Sequence, residues 1–132
     1  MTRVLVVQRD QAVAAQMIVE LHRAGYETEG CGGPGVEPCP VAVDLPCPLV
    51  DRADVLIYDA WVAGDIEAGH RLISELRELY VDLPVVLTSA DPSVDWVARD
   101  GPHRVIPLGS LPSNEELVAA IELALTDQGM AV

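Results

Sequence analysis

The sequence predicts a doubly wound α/β domain, which is a parallel β-sheet with helices packed on both faces. The prediction rests on apolar segments of strand length that alternate with segments of helical periodicity. The strand segments are continuous apolar runs, as expected for strands that are buried on both faces. Successive parallel strands are then joined by right-handed crossovers. We predict five strands in a single domain that spans residues 1–132.

The first part of the chain predicts two strands and one helix. Arg3–Gln8 (RVLVVQ) is an apolar run of strand length, and Tyr26–Gly30 is a weaker second strand. Between them, a helix is expected to begin after Asp10, which can cap it, and to end at Gly25. Its apolar residues recur at helical spacing and are Ala14, Met17, Ile18 and Leu21.

The remaining elements lie in the second part of the chain. Val55–Asp59, Val85–Ser89 and Arg104–Ile106 predict strands three, four and five. A helix after the third strand is indicated by Ile66, Ile73, Leu76 and Leu79. A short helix is expected over Val94–Arg99. The closing helix has a capping box and an apolar stripe, formed by Ser113, Glu116, Leu117, Ile121 and Ala124.

Composition limits the classes of partner. The 21 acidic and 8 basic residues give a net charge of −13, which repels a nucleic-acid backbone and argues against direct nucleic-acid binding. All of the basic residues are arginines, so the chain contains no lysine. No apolar run is long enough to cross a bilayer, and the first residues lack a secretory signal. We therefore expect a cytoplasmic protein with no membrane partner.

Residues 31–52 predict a loop rich in Cys, Pro and Gly where an α/β fold would place its second helix. The proline spacing between Cys31 and Cys47 is incompatible with a regular helix. Cys31, Cys39 and Cys47 leave three interpretations open. They are packed or free thiols, ligands of zinc or an iron-sulfur cluster, or a disulfide with one remaining thiol. The metal interpretation would need a further ligand, for which the candidates are His22, His70 and His103.

Polar side chains collect where the predicted strands end. In open parallel sheets, ligands bind at the carboxyl ends of the strands. The residues at these ends are Gln8, Arg9, Asp10, Asp59, Thr88 and Ser89. Trp61 follows closely, and we expect it to be partly buried against the third helix, with an exposed binding anchor as the alternative.

These segments resemble the receiver domain of bacterial response regulators. VLVVQRDQAVAAQMIVELHRAGYET matches the family's first strand and helix, and VIPLGS with SNEELVAAIELAL matches its last strand and helix. VLIYD places Asp59 at the phosphoacceptor position, and LPVVLTSAD places Thr88 at the conserved hydroxyl position. The resemblance implies a flavodoxin-like fold and a role in phosphorelay signal transduction.

The resemblance also implies a degenerate, pseudo-receiver pocket. In the family, two acids after the first strand help the aspartate to hold Mg²⁺, and a lysine on the fifth strand contacts the phosphoryl oxygens. Here the acids align with Gln8 and Arg9, and the lysine aligns with Ile106. The pocket residues implied are Asp59, Thr88, Gln8, Arg9, Asp10 and Ile106. We therefore expect no Mg²⁺-dependent phosphorylation of the aspartate.

Two further residues extend this comparison. His103 aligns with the aromatic residue that acts as the family's switch, although an ordinary edge position is the simpler interpretation. We also hypothesise that Arg9 pairs with Asp59 and fills the space of the metal ion. In the alternative, Arg9 points into solvent and Asp59 is hydrated.

Three functions remain open from the sequence. The favoured one is a non-enzymatic receiver-like module that acts through contact with a protein partner or a second copy, with no cofactor. No output domain is expected after the last helix, which is predicted to end near Thr126. The alternative is a metal or redox sensor that uses Cys31, Cys39 and Cys47 on the same scaffold. A small flavodoxin-like enzyme is the weakest candidate, because no catalytic set of residues is recognisable.

Overall fold

The computed structural model describes residues 2–32, 47–62, 64–80, 83–88, 105–108 and 113–130. Five parallel strands form one sheet in the order β2-β1-β3-β4-β5. The strands are β1 (Arg3–Val7), β2 (Glu27–Cys31), β3 (Val55–Asp59), β4 (Val85–Thr88) and β5 (Val105–Pro107). The described helices are α1 (Gln11–Arg23), α2 (Pro48–Arg52), α3 (Ile66–Leu79) and α4 (Asn114–Met130). None of them is both long and apolar enough to span a bilayer.

The predicted parallel α/β fold is confirmed, with corrections at several boundaries. Strand β1 ends at Val7 rather than at Gln8, β5 extends to Pro107, and the closing helix runs to Met130 rather than ending near Thr126. Cys31 belongs to β2 rather than to the loop that follows. Pro48–Arg52 forms the short helix α2 inside the segment 31–52 that was predicted to be irregular. Proline is compatible with this position because the first turn of a helix needs no N–H donor from it. Residues 33–46, which include Cys39, and the predicted helix Val94–Arg99 lie outside the described residues.

The sheet separates two apolar layers. Side chains alternate along each strand, so one set packs against α2 and α3 and the other packs against α1 and α4. The strand residues of the first layer are Leu5, Val7, Leu56, Tyr58, Val85 and Leu87. Those of the second layer are Val4, Val6, Val55, Ile57 and Val86. The central strand β3 is buried along its whole length, so its carboxyl end is held from both faces.

The N-terminal ends of α1 and α4 form as the sequence predicts. The Asp10 Oδ1 accepts hydrogen bonds from the N–H groups of Ala12 and Val13, at 3.0 and 3.2 Å, and so caps α1. At the start of α4, Ser113 N–H donates to Glu116 Oε1 at 3.0 Å, and Glu116 N–H donates to Ser113 Oγ at 3.2 Å. This reciprocal pair is the predicted capping box.

Helix α3 lies unusually close to the turn after β3. A Cβ atom at position 69 would overlap the carbonyl oxygen of Ala60, so only glycine permits this approach. The fully buried Tyr58 hydroxyl donates a 2.7 Å hydrogen bond to the carbonyl oxygen of Gly69. The end of β3 is therefore fixed to α3 by a backbone contact and by a side-chain hydrogen bond.

A second contact holds α2 against the end of α3. The Tyr80 hydroxyl accepts a hydrogen bond from Cys47 N–H at 2.9 Å and donates one to Asp51 Oδ1 at 2.6 Å. Burial and the hydrogen bond to Asp51 raise the pKa of Tyr80 above its ordinary value of 10.0. On the other side of α2, Arg52 forms a 3.1 Å ion pair with Glu29 of β2. These two contacts fix the position of α2, with which the described part of the chain resumes.

We expect Gly69→Ala to destabilise the protein by about 2 kcal/mol or more, because the methyl group meets a backbone carbonyl that cannot move independently. Helix propensity alone predicts the opposite sign, a gain of about 1 kcal/mol. Gly30→Ala is the matched control, since its Cβ would meet only the flexible Ile18 Cδ1, at 3.1 Å. Urea unfolding followed by circular dichroism measures both variants, and a Gly69→Ala protein as stable as the wild type would contradict this packing.

We expect Tyr80→Phe to lower the free energy of unfolding by about 1–2 kcal/mol, because it removes the partner of a backbone N–H and of a carboxylate. A phenol with a raised pKa in the folded state stabilises the protein fully below its unfolded pKa of about 10. That contribution is lost as the pH rises through the folded-state pKa. The stability difference between wild type and variant should therefore shrink above about pH 10, and a difference that grows with pH would contradict the assignment.

Candidate functional site

The buried polar side chains of the described part of the chain form one cluster. They are Gln8, Asp59 and Thr88, which are 6%, 6% and 0% exposed. Asp59 and Thr88 are register partners at the ends of β3 and β4. Gln8 and Asp59 directly follow Val7 and Tyr58, which are register partners on β1 and β3. The cluster therefore crosses the carboxyl ends of three adjacent strands, as the sequence predicts.

All three side chains lie on the face of the sheet that carries α1 and α4. The residues two positions before them are Val6, Ile57 and Val86, which all belong to the apolar layer on that face. Since residues two apart in a strand share a face, the polar cluster continues that layer to the edge of the sheet. Gln8 also lines a groove of about 310 Å³ between α1 and β2, whose other walls include Ile18 and Gly30.

Asp59 is stabilised by the backbone of the turn that follows it. Its Oδ1 accepts a 3.2 Å hydrogen bond from Trp61 N–H, which offsets part of the cost of burying a carboxylate. The Thr88 hydroxyl lies 3.5 Å from the carbonyl oxygen of Tyr58. The backbones of the two strands are joined at the same level by the hydrogen bond from Ala60 N–H to Thr88 O, at 3.0 Å. The Asp59 carboxylate and the Thr88 hydroxyl are thus both buried at neighbouring strand ends.

Gln8 and Asp10 are both engaged in local structure. Gln8 N–H donates to Cys31 O at 3.0 Å, which continues the pairing of β1 with β2 beyond the last strand residue. The Gln8 Oε1 accepts a 3.0 Å hydrogen bond from Asp10 N–H. The Asp10 carboxylate in turn caps α1. The Gln8 side chain therefore positions Asp10, which is the residue that caps α1.

The hypothesised ion pair between Arg9 and Asp59 is not formed. The ion pairs between described residues join Arg3 to Glu27, Arg23 to Glu20 and Arg52 to Glu29. Arg9 is exposed and lies beyond the end of β1, whereas the Asp59 carboxylate is buried and bound to the backbone. The alternative position of Arg9, in solvent, is the one found.

The remaining candidate residues lie outside this cluster or outside the described part of the chain. Ile106, at the position of the family's lysine, lies in β5 and pairs in register with Val86. Cys31 and Cys47 are both half-buried and pack against the apolar layer that carries α2 and α3. Cys39 and His103 lie outside the described residues. Within the described ranges, no three His, Cys, Asp or Glu side chains are arranged to hold a metal ion.

Sequence reasoning missed several contacts that shape this site. The sequence identifies Gln8 only as a substitute for a metal-binding acid and does not indicate that its side chain positions Asp10. The close approach of Gly69 to Ala60 and the hydroxyl contact of Tyr58 were missed as well. A tyrosine directly before Asp59 and a glycine inside an amphipathic helix are the signals that the sequence offers.

Comparisons with known proteins support the fold. No protein-family model matches the chain, and no curated protein matches it. A CheY-like receiver domain protein from Methanospirillum hungatei is 16% identical with a TM-score of 0.77, and the match covers 100% of this chain and 99% of that one. A structure described as a pilus assembly protein (cpaE) from Burkholderia thailandensis is 25% identical with a TM-score of 0.73, covering 96% of this chain and 99% of that one.

A longer protein also contains this fold. NtrX from Brucella abortus, in a complex with ADP, is 20% identical with a TM-score of 0.73 over 99% of this chain. The match spans only 28% of the NtrX chain. Taken with the strand order and the cluster at the carboxyl edge, these likenesses confirm the predicted fold. The chain has the flavodoxin-like fold of the CheY-like receiver domains of response regulators.

Proposed function

We propose that this chain is a receiver-like signalling module that acts through contact with a protein partner and is not phosphorylated on Asp59 by the Mg²⁺-dependent route. One observation carries the proposal. Gln8 lies buried at the position of a metal-binding acid, and its side-chain oxygen is bound to Asp10 N–H. A neutral amide with a structural role has replaced a metal ligand.

The residues at this edge do not fit a magnesium ion. Mg²⁺ prefers carboxylate oxygens in octahedral geometry, with further positions taken by water and phosphate. Asp59 contributes one carboxylate, Gln8 is an amide, and the Asp10 carboxylate accepts two N–H groups of α1. Arg9 adds a positive charge where the family has an acid. A divalent cation would gain less charge compensation here than beside three carboxylates.

The expected consequence for phosphoryl transfer is large. That reaction relies on neutralising charge on the transferred group and on positioning it, so a missing metal site and lysine cost several powers of ten in rate. The chain has no lysine that could compensate from another position. Asp59 and Thr88 supply only a carboxylate and a hydroxyl, side by side at the ends of β3 and β4. These two groups alone are insufficient for efficient transfer.

The fold supports the signalling part of the proposal. One of the similar structures is described as a response regulator receiver domain protein, and another is a chemotaxis protein, CheY4. Domains of this kind transmit signals by changing their contacts with other proteins. The carboxyl edge of the sheet offers a surface for such contacts. We assign no catalytic role to the chain.

We expect no phosphorylation when the protein is incubated with acetyl phosphate and Mg²⁺, because the site cannot neutralise the incoming group. Intact-mass spectrometry would show the unmodified mass for wild type and for Asp59→Asn alike. ¹⁹F NMR with beryllofluoride and Mg²⁺ gives a second measurement. A bound beryllofluoride signal that Asp59→Asn removes would overturn the proposal.

We expect the triple variant Gln8→Asp, Arg9→Asp, Ile106→Lys to gain Mg²⁺ binding, because it restores the carboxylates and the lysine of the family. Without Mg²⁺ the variant should be less stable than the wild type, since neighbouring carboxylates repel one another. Mg²⁺ at ten times its Kd should then stabilise the variant by about 1.4 kcal/mol. Urea unfolding with and without Mg²⁺ measures this effect, and adding Asp59→Asn to the variant is the control. Equal Mg²⁺ stabilisation of the unmodified wild type would contradict the loss of the site.

A further inference from the structure

Among the described residues, Trp61 is the largest exposed apolar side chain at the carboxyl edge of the sheet. Trp61 is 47% exposed, so it is partly buried and about half of its surface remains accessible to a partner. The other large apolar side chains exposed in the described residues are Val19, Leu79 and Leu123, which lie on helices. Trp61 differs from them because it stands in a turn, two residues after Asp59.

The turn holds the indole in place. Ala60 and Val62, on either side of Trp61, are both 0% exposed. Val62 N–H donates to Asp59 O at 3.0 Å, and Gly64 N–H donates to Trp61 O at 2.9 Å. The backbone of Trp61 is therefore held between two buried neighbours and cannot carry the residue into the core without displacing them. An aromatic side chain that is fixed in an exposed position loses little conformational entropy on binding, as is typical of interface anchors.

The charges around Trp61 indicate which kind of partner fits. In the adjoining segments 8–10 and 64–68, the exposed charged residues are Arg9, Asp10, Asp65 and Glu67. The acids predominate, and the whole chain carries a net charge of −13. A basic partner is attracted to this edge, while a second copy with the same charge is repelled.

The anchor is also connected to the buried carboxylate. The N–H group of Trp61 is the donor that binds Asp59 Oδ1, so a ligand that moves the turn also changes the stabilisation of Asp59. This connection places the exposed indole and the former phosphoacceptor position in one structural unit.

We infer that Trp61 anchors a basic protein segment at the carboxyl edge of the sheet, with its indole packed against an apolar side chain of the partner and the surrounding acids facing the partner's Lys or Arg residues. The inference rests on the proposed function and specifies the partner's chemistry. It assigns the recognition of a partner to the turn after β3.

The test is a selection of 12-residue peptides from a random phage-displayed library against the full chain, without phosphodonor or Mg²⁺. We expect the enriched peptides to carry a net positive charge and at least one aromatic or large aliphatic residue. Calorimetry with a synthetic enriched peptide should show at least a tenfold weaker Kd for Trp61→Ala. Val19→Ala removes an equally exposed side chain, 48% exposed on α1, and should change Kd less than twofold.

Trp61→Ala keeps the backbone donor to Asp59, so its urea midpoint should match that of the wild type. Trp61→Arg is a second variant that adds repulsion and should abolish binding. Failure to enrich any peptide, enrichment of neutral or acidic peptides, or equal binding by Trp61→Ala would overturn the inference. So would a dimer in sedimentation that Trp61→Ala dissociates, because the occupant would then be a second copy. Phosphorylation of Asp59 would overturn the proposed function alone and leave the peptide result unaffected.

Discussion

The contact between the backbone of α3 and the turn after β3 is the constraint on which this edge of the molecule depends. Gly69 permits the helix to reach the carbonyl oxygen of Ala60, and Tyr58 ties the same helix residue to the central strand. Ala60 and Val62 are both buried, which adds to this constraint on the turn. This contact therefore determines where the backbone places the Asp59 carboxylate and the Trp61 indole.

The electrostatics of the edge follow from a single buried carboxylate. A carboxylate with low exposure needs compensation, and the observed donor to Asp59 is a backbone N–H rather than a cation. Its neighbours in the cluster, Gln8 and Thr88, are neutral. The cluster therefore has one charge to stabilise, and a backbone N–H group supplies part of that stabilisation.

The sequence predicts the elements well where local signals are strong. The third strand, Val55–Asp59, has the predicted bounds, and the capping box at Ser113 and Glu116 forms with both hydrogen bonds. Helix α2 was not predicted because five residues that begin with proline give no periodic pattern. Its position depends on Tyr80, which lies 29 residues from Asp51 in the chain.

The site was predictable as a location but not as a set of contacts. The strand ends identify Asp59 and Thr88, because parallel strands share an edge. The role of Gln8 depends on hydrogen bonds to Cys31 and Asp10 that no residue type implies. The suggested partner of Asp59 was Arg9, whereas the observed one is the backbone of Trp61. Local patterns do not report which of several nearby donors is aligned with a buried oxygen.

The hydrogen bond from Asp10 N–H to the Gln8 amide links the start of α1 to the buried polar cluster. An acid at position 8 would bring a second carboxylate into that cluster, and repulsion from Asp59 would raise the cost of burying both groups. A substitution at position 8 would therefore act at two places at once, on the helix terminus that Asp10 caps and on the charge balance around Asp59.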